Sequence, residues 1–180
     1  LVSHLSDVIE SYFEKNPLTG MHLRFSREPS PRGTGGALHL ALNDLSDEFW
    51  LINGDSFLPL DFGQMYACIQ QKKWQACMAA LGNGQLVPVP ENLKIQDRLV
   101  CGYQKGAGRA LGFGHVDAGV YWLKRGLVEA GPQGSFALED YWPDLICKNE
   151  LGAFVVHQRF FDIGTPERLK DFEEHIHDYF

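Results

Sequence analysis

An α/β fold with a largely parallel sheet is what this 180-residue chain predicts, on three observations. Segments with apolar side chains at helical spacing alternate with short extended runs. One such run, Phe49-Trp50-Leu51-Ile52, is continuously apolar, the pattern of a central strand buried on both faces. Clusters of Gly, Asn and Pro separate the segments, and strands alternating with helices in this way build α/β sheets.

The elements follow in order. Residues 6–15 carry Val8, Ile9, Tyr12 and Phe13 at helical spacing, with Ser6 or Asp7 as the expected cap and Asn16-Pro17 as the stop. Residues 21–26 alternate Met, Leu and Phe with His, Arg and Ser, as a strand does. A Pro- and Gly-rich loop over 29–36 leads to a helix over 37–45, the apolar run at 49–52, a helix over 62–71 and a strand over 74–81. Residues 82–104 alternate extended pieces with turns and end in a strand at 98–103. A strand at 119–123, a helix at 138–148, a strand at 153–158 and a capped helix from Thr165 onward complete the chain.

Composition sets the outer limits. Hydrophobic residues at 44% and charged residues at 22% describe an ordinary globular protein. The length suits a single domain, 1–180, with a core that needs no disulfide or metal staple. A formal charge of -7, from 16 basic and 23 acidic residues, argues against nucleic acid or an anionic membrane as partner. It leaves room for a small phosphorylated ligand held by local donors. Cys68, Cys77, Cys101 and Cys147 are scattered, and they predict reduced, buried thiols in a cytoplasmic protein. No apolar run approaches the roughly 20 residues that cross a bilayer, and no signal peptide opens the chain. The chain begins at Leu1 without Met and enters a helix within a few residues, as though cut from something longer.

Three segments carry chemistry. Glu28-Pro-Ser-Pro-Arg-Gly33-Thr34-Gly35-Gly36-Ala-Leu38 sets three glycines between strand and helix, where backbone can approach a ligand and N–H groups can donate to it, or where the chain merely turns. Trp50-Leu-Ile-Asn53-Gly54-Asp55 ends a buried strand on a carboxylate, placed for a ligand at the carboxyl end of a sheet, or else capping its own turn. Phe160-Phe-Asp162-Ile-Gly-Thr165-Pro-Glu contains a helix start that accounts for Thr165, Pro166 and Glu167 but not for Asp162. Asp55 and Asp162 each close an apolar strand and form a candidate divalent-metal pair, since Mg²⁺ takes one or two carboxylates plus phosphate oxygens. His115 reads as a structural histidine, Lys72-Lys73 as an exposed turn, and His175 and His177 as a solvated helix end.

Taken in order, these segments resemble the sugar-1-phosphate nucleotidyltransferase family across essentially the whole chain. Glu28 to Leu38 resembles the family's base-recognition loop, and Asn53-Gly54-Asp55 its metal-binding turn. Tyr103-Gln104-Lys105 resembles the F-x-E-K stretch, with Gln104 in place of Glu. Asp117-Ala-Gly119-Val-Tyr121 is similar to N-A-G-I-Y, with Asp117 in place of Asn. Ser135-Phe-Ala-Leu-Glu139 resembles F-S-L-E, and Asp162-Ile-Gly-Thr165 the second metal motif. The heptose- and mannose-1-phosphate guanylyltransferases and the muramic acid-1-phosphate uridylyltransferases are the nearest flavours.

The resemblance implies a three-layer α/β/α Rossmann-like fold with a predominantly parallel mixed sheet. It also implies an enzyme of nucleotide-sugar biosynthesis for cell-envelope polysaccharide. The reaction joins a nucleoside triphosphate, with GTP first, to a heptose- or mannose-type sugar 1-phosphate and releases pyrophosphate. Asp55 and Asp162 would hold Mg²⁺, and Lys105 would contact the sugar phosphate. Asp117, Gly119 and Glu139 would line the sugar site; Glu28, Gly33, Thr34, Gly35, Gly36, Asn53 and Gly54 would serve the nucleotide. A homo-oligomer is compatible with the sequence. The family's opening strand, G-x-G-T-R-L loop and Pro-Lys pair are not among these residues, so the chain alone is expected to be inactive. A non-catalytic nucleotide-sugar-binding or regulatory homologue, or an inactive fragment, is the alternative.

Overall fold

The computed structural model describes residues 1–82 and 89–179. The extended pieces and turns expected at 83–88 lie outside the described residues. The chain forms two compact units, Leu1–Asp47 with Arg125–Tyr141, and Glu48–Lys124 with Trp142–Phe180. No helix among the described residues is long and apolar enough to cross a membrane.

The first unit is helical. α1 spans Ser6–Lys15, as its apolar spacing predicts. Its cap differs from expectation: Leu5, in left-handed backbone at φ 57°, holds the N-cap position, and no side chain caps the helix. Ser6 turns inward and is buried instead. Asn16 closes the helix, its backbone and side-chain N–H groups both donating to the Tyr12 carbonyl. The strand expected at 21–26 does not form. A strand needs a ladder partner, and the segment's neighbour offers a single bridge, Val2 to Arg27. Its alternation therefore buries no face: Met21, Leu23 and Phe25 are all exposed. α2 spans Gly33–Leu40, so the glycines open the helix rather than precede it, and Leu42–Asp44 continues as a 3₁₀ turn. α4, Arg125–Glu129, and a 3₁₀ turn over Leu138–Tyr141 complete the unit.

The second unit holds a six-stranded sheet. Its strands are β1 (Glu48–Ile52), β3 (Ala76–Leu81), β4 (Leu93–Gln96), β5 (Leu99–Tyr103), β6 (Val116–Lys124) and β7 (Leu151–Val156). Their order is β1-β6-β3-β7-β5-β4. A separate pair joins β2 (Ser56–Phe57) to β8 (Phe161–Asp162). The α/β class is borne out, but the sheet is mostly antiparallel, with β3 and β7 its one parallel pair among the described residues. The physical reason lies in β6. Helix α3 (Phe62–Gln70) connects β1 to β3 as in a parallel unit, and β1, β3 and β7 do run the same way. β6 arrives later in the chain and pairs between β1 and β3 in the opposite sense. That insertion also makes β1 an edge strand, only half-buried, and not the central one its apolar run suggests.

β3 is buried at every residue. Cys77, Ala79 and Leu81 join Val116, Ala118, Val120 and Trp122 of β6 and Met65 and Ile69 of α3 in one core cluster. Full burial of each large aliphatic side chain contributes about 1.5–3 kcal/mol. Gly152 on β7 is a packing requirement: a Cβ there would lie 2.1 Å from the Trp74 ring. The helix expected at 138–148 divides at its middle, and α5 occupies Trp142–Cys147. α6, Pro166–His175, begins as predicted, with Thr165 Oγ1 accepting the Arg168 N–H and Pro166 in the first turn. The cysteines are unpaired, but Cys77 alone is buried; Cys101 and Cys147 are exposed.

Candidate active site

Asp55 follows β1 in a tight turn, where the Ser56 N–H donates to the Asn53 carbonyl at 3.2 Å. β2 then pairs antiparallel with β8, setting Ser56 opposite Asp162, and the Ile163 N–H donates to the Asp55 carbonyl at 2.8 Å. This pairing of two-residue strands is what brings the carboxylates together. Both converge beside Gly164: a Cβ built there would lie 3.1 Å from Asp162 Oδ1 and 3.4 Å from Asp55 Oδ2. Glycine keeps that space open. Asp162 is held on both oxygens, Oδ1 accepting the Gly164 N–H at 2.9 Å and Oδ2 the Arg168 guanidinium at 2.5 Å. No cluster of three or more His, Cys, Asp or Glu side chains is present among the described residues, so a cation here would complete its shell with oxygens from elsewhere.

Next to this pair runs the β6 segment. Gly119 has φ +70°, and a Cβ on it would meet Ser56 Oγ at 2.7 Å and Asn53 Nδ2 at 2.9 Å. Its carbonyl accepts the Asn53 N–H at 2.9 Å, which fastens the Asn53-Gly54-Asp55 turn to β6. Asp117 turns toward its own strand. Its Oδ1 accepts the Gly119 N–H at 3.0 Å and its Oδ2 the Tyr121 hydroxyl at 2.9 Å, where the β3–β6 ladder shifts register. Lys105 lies in the turn after β5, whose backbone is fixed by the Gln104 N–H donating to the Asn92 carbonyl and the Ala107 N–H to that of Gln104.

The other predicted residues gather in the first unit. Gly33, at φ +69°, and Gly35 and Gly36 seat the 134–137 segment. A Cβ on Gly35 would lie 2.2 Å from the Phe136 ring, and one on Gly36 2.4 Å from the Gly134 carbonyl oxygen. The Gly35 and Gly36 N–H groups donate to the Phe136 carbonyl, so these two helix-opening donors already have a protein acceptor. Thr34 Oγ1 accepts the Leu138 N–H at 2.8 Å. The glycines thus bring the start of α2 against the turn that carries Glu139. Glu28 accepts the Arg32 N–H at 3.3 Å and steadies the approach to the helix.

No protein-family model matches the chain. A D-glycero-alpha-D-manno-heptose 1-phosphate guanylyltransferase of Campylobacter jejuni is 27% identical over 168 residues, covering 92% of this chain and 72% of that protein. Its namesake in Aneurinibacillus thermoaerophilus is 24% identical over 176 residues, covering 96% and 75%. HddC from Yersinia pseudotuberculosis, solved with GMP-PN, matches at a TM-score of 0.80 and 26% identity over 97% of this chain and 76% of that one. In sequence and in fold the chain is similar to these sugar-1-phosphate nucleotidyltransferases. The nucleotidyltransferase fold and enzyme class expected from the ordered motifs are borne out.

Four residues of this candidate site escaped sequence reading. Ser56 and Gly164 flank the two carboxylates, Arg168 pairs with Asp162, and Asn92 joins two segments. Gly164 and Arg168 lie within or beside the Asp162 motif and could have been flagged by their spacing. Asn92 lies in no motif. His115 is held below the ordinary imidazole range, by burial first and by His157 second, which fits the structural role expected of it.

Proposed function

We propose that the full-length protein catalyses transfer of a nucleotidyl group from GTP to a heptose- or mannose-type sugar 1-phosphate, forming a nucleoside diphosphate sugar and pyrophosphate. The observation that carries the reading is the convergence of Asp55 and Asp162 on the space left by Gly164. Two carboxylates that each come within 3.4 Å of one point suit a hard divalent cation such as Mg²⁺. When bound, that ion would offset charge on the triphosphate as the sugar-phosphate oxygen displaces pyrophosphate at the α-phosphorus.

The side chains have correspondingly modest chemical tasks, mostly positioning and charge. Asp55 and Asp162 are the cation ligands, and Arg168 orients the Asp162 carboxylate. Lys105 contributes positive charge to the sugar phosphate. Asp117 and Gly119 shape the β6 segment beside the Asn53-Gly54 turn. In the first unit, Glu28 and Gly33–Gly36 serve the base, and Glu139 accepts sugar hydroxyls. The unpaired cysteines support a reducing, cytoplasmic setting.

The test is pyrophosphate release by the full-length protein with Mg²⁺, GTP or UTP, and heptose-, mannose- or muramic-type sugar 1-phosphates. Release is expected to be fastest with GTP and a heptose or mannose phosphate. Calorimetric binding of GTP without release in any combination would replace the enzyme with a nucleotide-binding homologue.

A further inference from the structure

Asn92 lies outside every motif, yet it joins two segments of the second unit, the Gln104 turn and residues 115–117. Its N–H donates to the His115 carbonyl at 2.9 Å, and its carbonyl accepts the Gln104 N–H at 2.9 Å. Its side-chain Oδ1 accepts the Asp117 N–H, also at 2.9 Å. The bonds continue beyond it. Asp117 accepts the Gly119 N–H, Gly119 accepts the Asn53 N–H, Asn53 accepts the Ser56 N–H, and Asp55 accepts the Ile163 N–H. A run of short polar contacts therefore leads from the turn that bears Lys105 to the paired carboxylates.

We propose that Asn92 is a positioning residue for sugar-phosphate binding, fixing the Lys105 turn against the Asp117 segment through its backbone carbonyl and its side-chain Oδ1. This rests on the substrate reading above. The geometry argues for the side chain specifically. The backbone bonds of Asn92 survive any substitution but proline, whereas the contact to Asp117 depends on an acceptor at the Oδ1 position. Asp117 accepts the Gly119 N–H and the Tyr121 hydroxyl within its own strand, and its backbone N–H gives the Asn92 side chain a handle on it from another segment. Loss of that handle frees the Gly119 bulge to move relative to the Lys105 turn. Misplacement of a binding group weakens ground-state binding of the sugar phosphate while the carboxylate pair, held separately by β2–β8, is spared.

Asn92→Ala and the isosteric Asn92→Asp, which keeps an acceptor oxygen, test the idea with Lys105→Ala alongside. Asn92→Ala is expected to raise KM for the sugar 1-phosphate about three- to tenfold, the scale of one net hydrogen bond, with kcat and KM for GTP little changed. Amide exchange at Asp117, followed by mass spectrometry, is expected to accelerate in Asn92→Ala and to stay slow in Asn92→Asp, whose KM lies nearer the wild type. Exchange also reports on the hydrogen bond should Asn92→Ala lose activity by unfolding, because Asn92→Asp retains the bond. A wild-type KM in Asn92→Ala beside a raised KM in Lys105→Ala would overturn the role of Asn92 alone. Equal KM increases in both Asn92 variants would also overturn it, since the acceptor would then not matter. A wild-type KM in Lys105→Ala would overturn the substrate reading and this inference with it.

Discussion

The Asp162 carboxylate already has two protein partners, and among the described residues Asp55 has no such side-chain partner. The two residues are therefore expected to respond differently to the same substitution. Asp55→Asn and Asp162→Asn should each suppress turnover and raise the Mg²⁺ concentration needed for half-maximal rate, because the amide keeps the shape and removes the charge. Asp162→Asn should in addition lower the melting temperature slightly, since a partly exposed ion pair to Arg168 contributes up to about 1 kcal/mol. Thermal scans without Mg²⁺ separate the effects; equal melting temperatures for both variants would deny the Arg168 pair any structural weight. Lys105→Ala belongs to the same scale. A charge-assisted hydrogen bond of about 1.5–3 kcal/mol predicts a loss of roughly one to two orders of magnitude in kcat/KM for the sugar phosphate, with GTP binding unmoved.

At the scale of elements, sequence reading succeeded where the cause was local. Thr165, Pro166 and Glu167 announce α6 because a cap depends on neighbours three residues away, and the structure starts the helix there. The helix at 6–15 and the strand expected at 74–81, found at Ala76–Leu81, were legible for the same reason. Pairing was not legible. Nothing in residues 21–26 says whether a partner strand lies alongside, and nothing in Phe49–Ile52 says that β6 will cover one side only. The candidate site divides along the same line: Asp55 and Asp162 could be named singly, but their meeting depends on the two-residue β2–β8 pairing. The glycines of α2 were legible as unusual but not as the seat of Phe136, a contact across about a hundred residues. Gly119 offers the element-scale test. Gly119→Ala forces a left-handed residue to carry a Cβ against Ser56 and Asn53, costing about 1–3 kcal/mol. It should reduce turnover more than Gly126→Ala, which has open space, at matched temperature below both melting points.

For the molecule as a whole, His115 is a source of pH-dependent stability close to neutrality. Burial and the neighbouring His157 hold the folded His115 below the ordinary imidazole value of about 6.5. The unfolded chain then binds the extra proton first, so folding is favoured above that value and loses this contribution as pH falls through it. Melting temperature is expected to drop between about pH 7 and pH 5.5, and His115→Gln should flatten that slope; an unchanged slope would assign it to other groups.

The place of β6 in the sheet has a consequence for how the chain is made. β1 and β3 are finished before residue 82, yet they cannot pair with each other, because the strand that belongs between them ends at Lys124. At about 5–20 residues per second, a ribosome exposes the Phe49-Trp50-Leu51 and Ala76–Leu81 segments for some seconds before β6 can leave the exit tunnel. For that interval two apolar strands with open edges stand side by side with no partner between them. Nascent chains arrested before residue 116 should accordingly bind chaperone and resist refolding, and chains arrested well past β7 should gain protease resistance in one step.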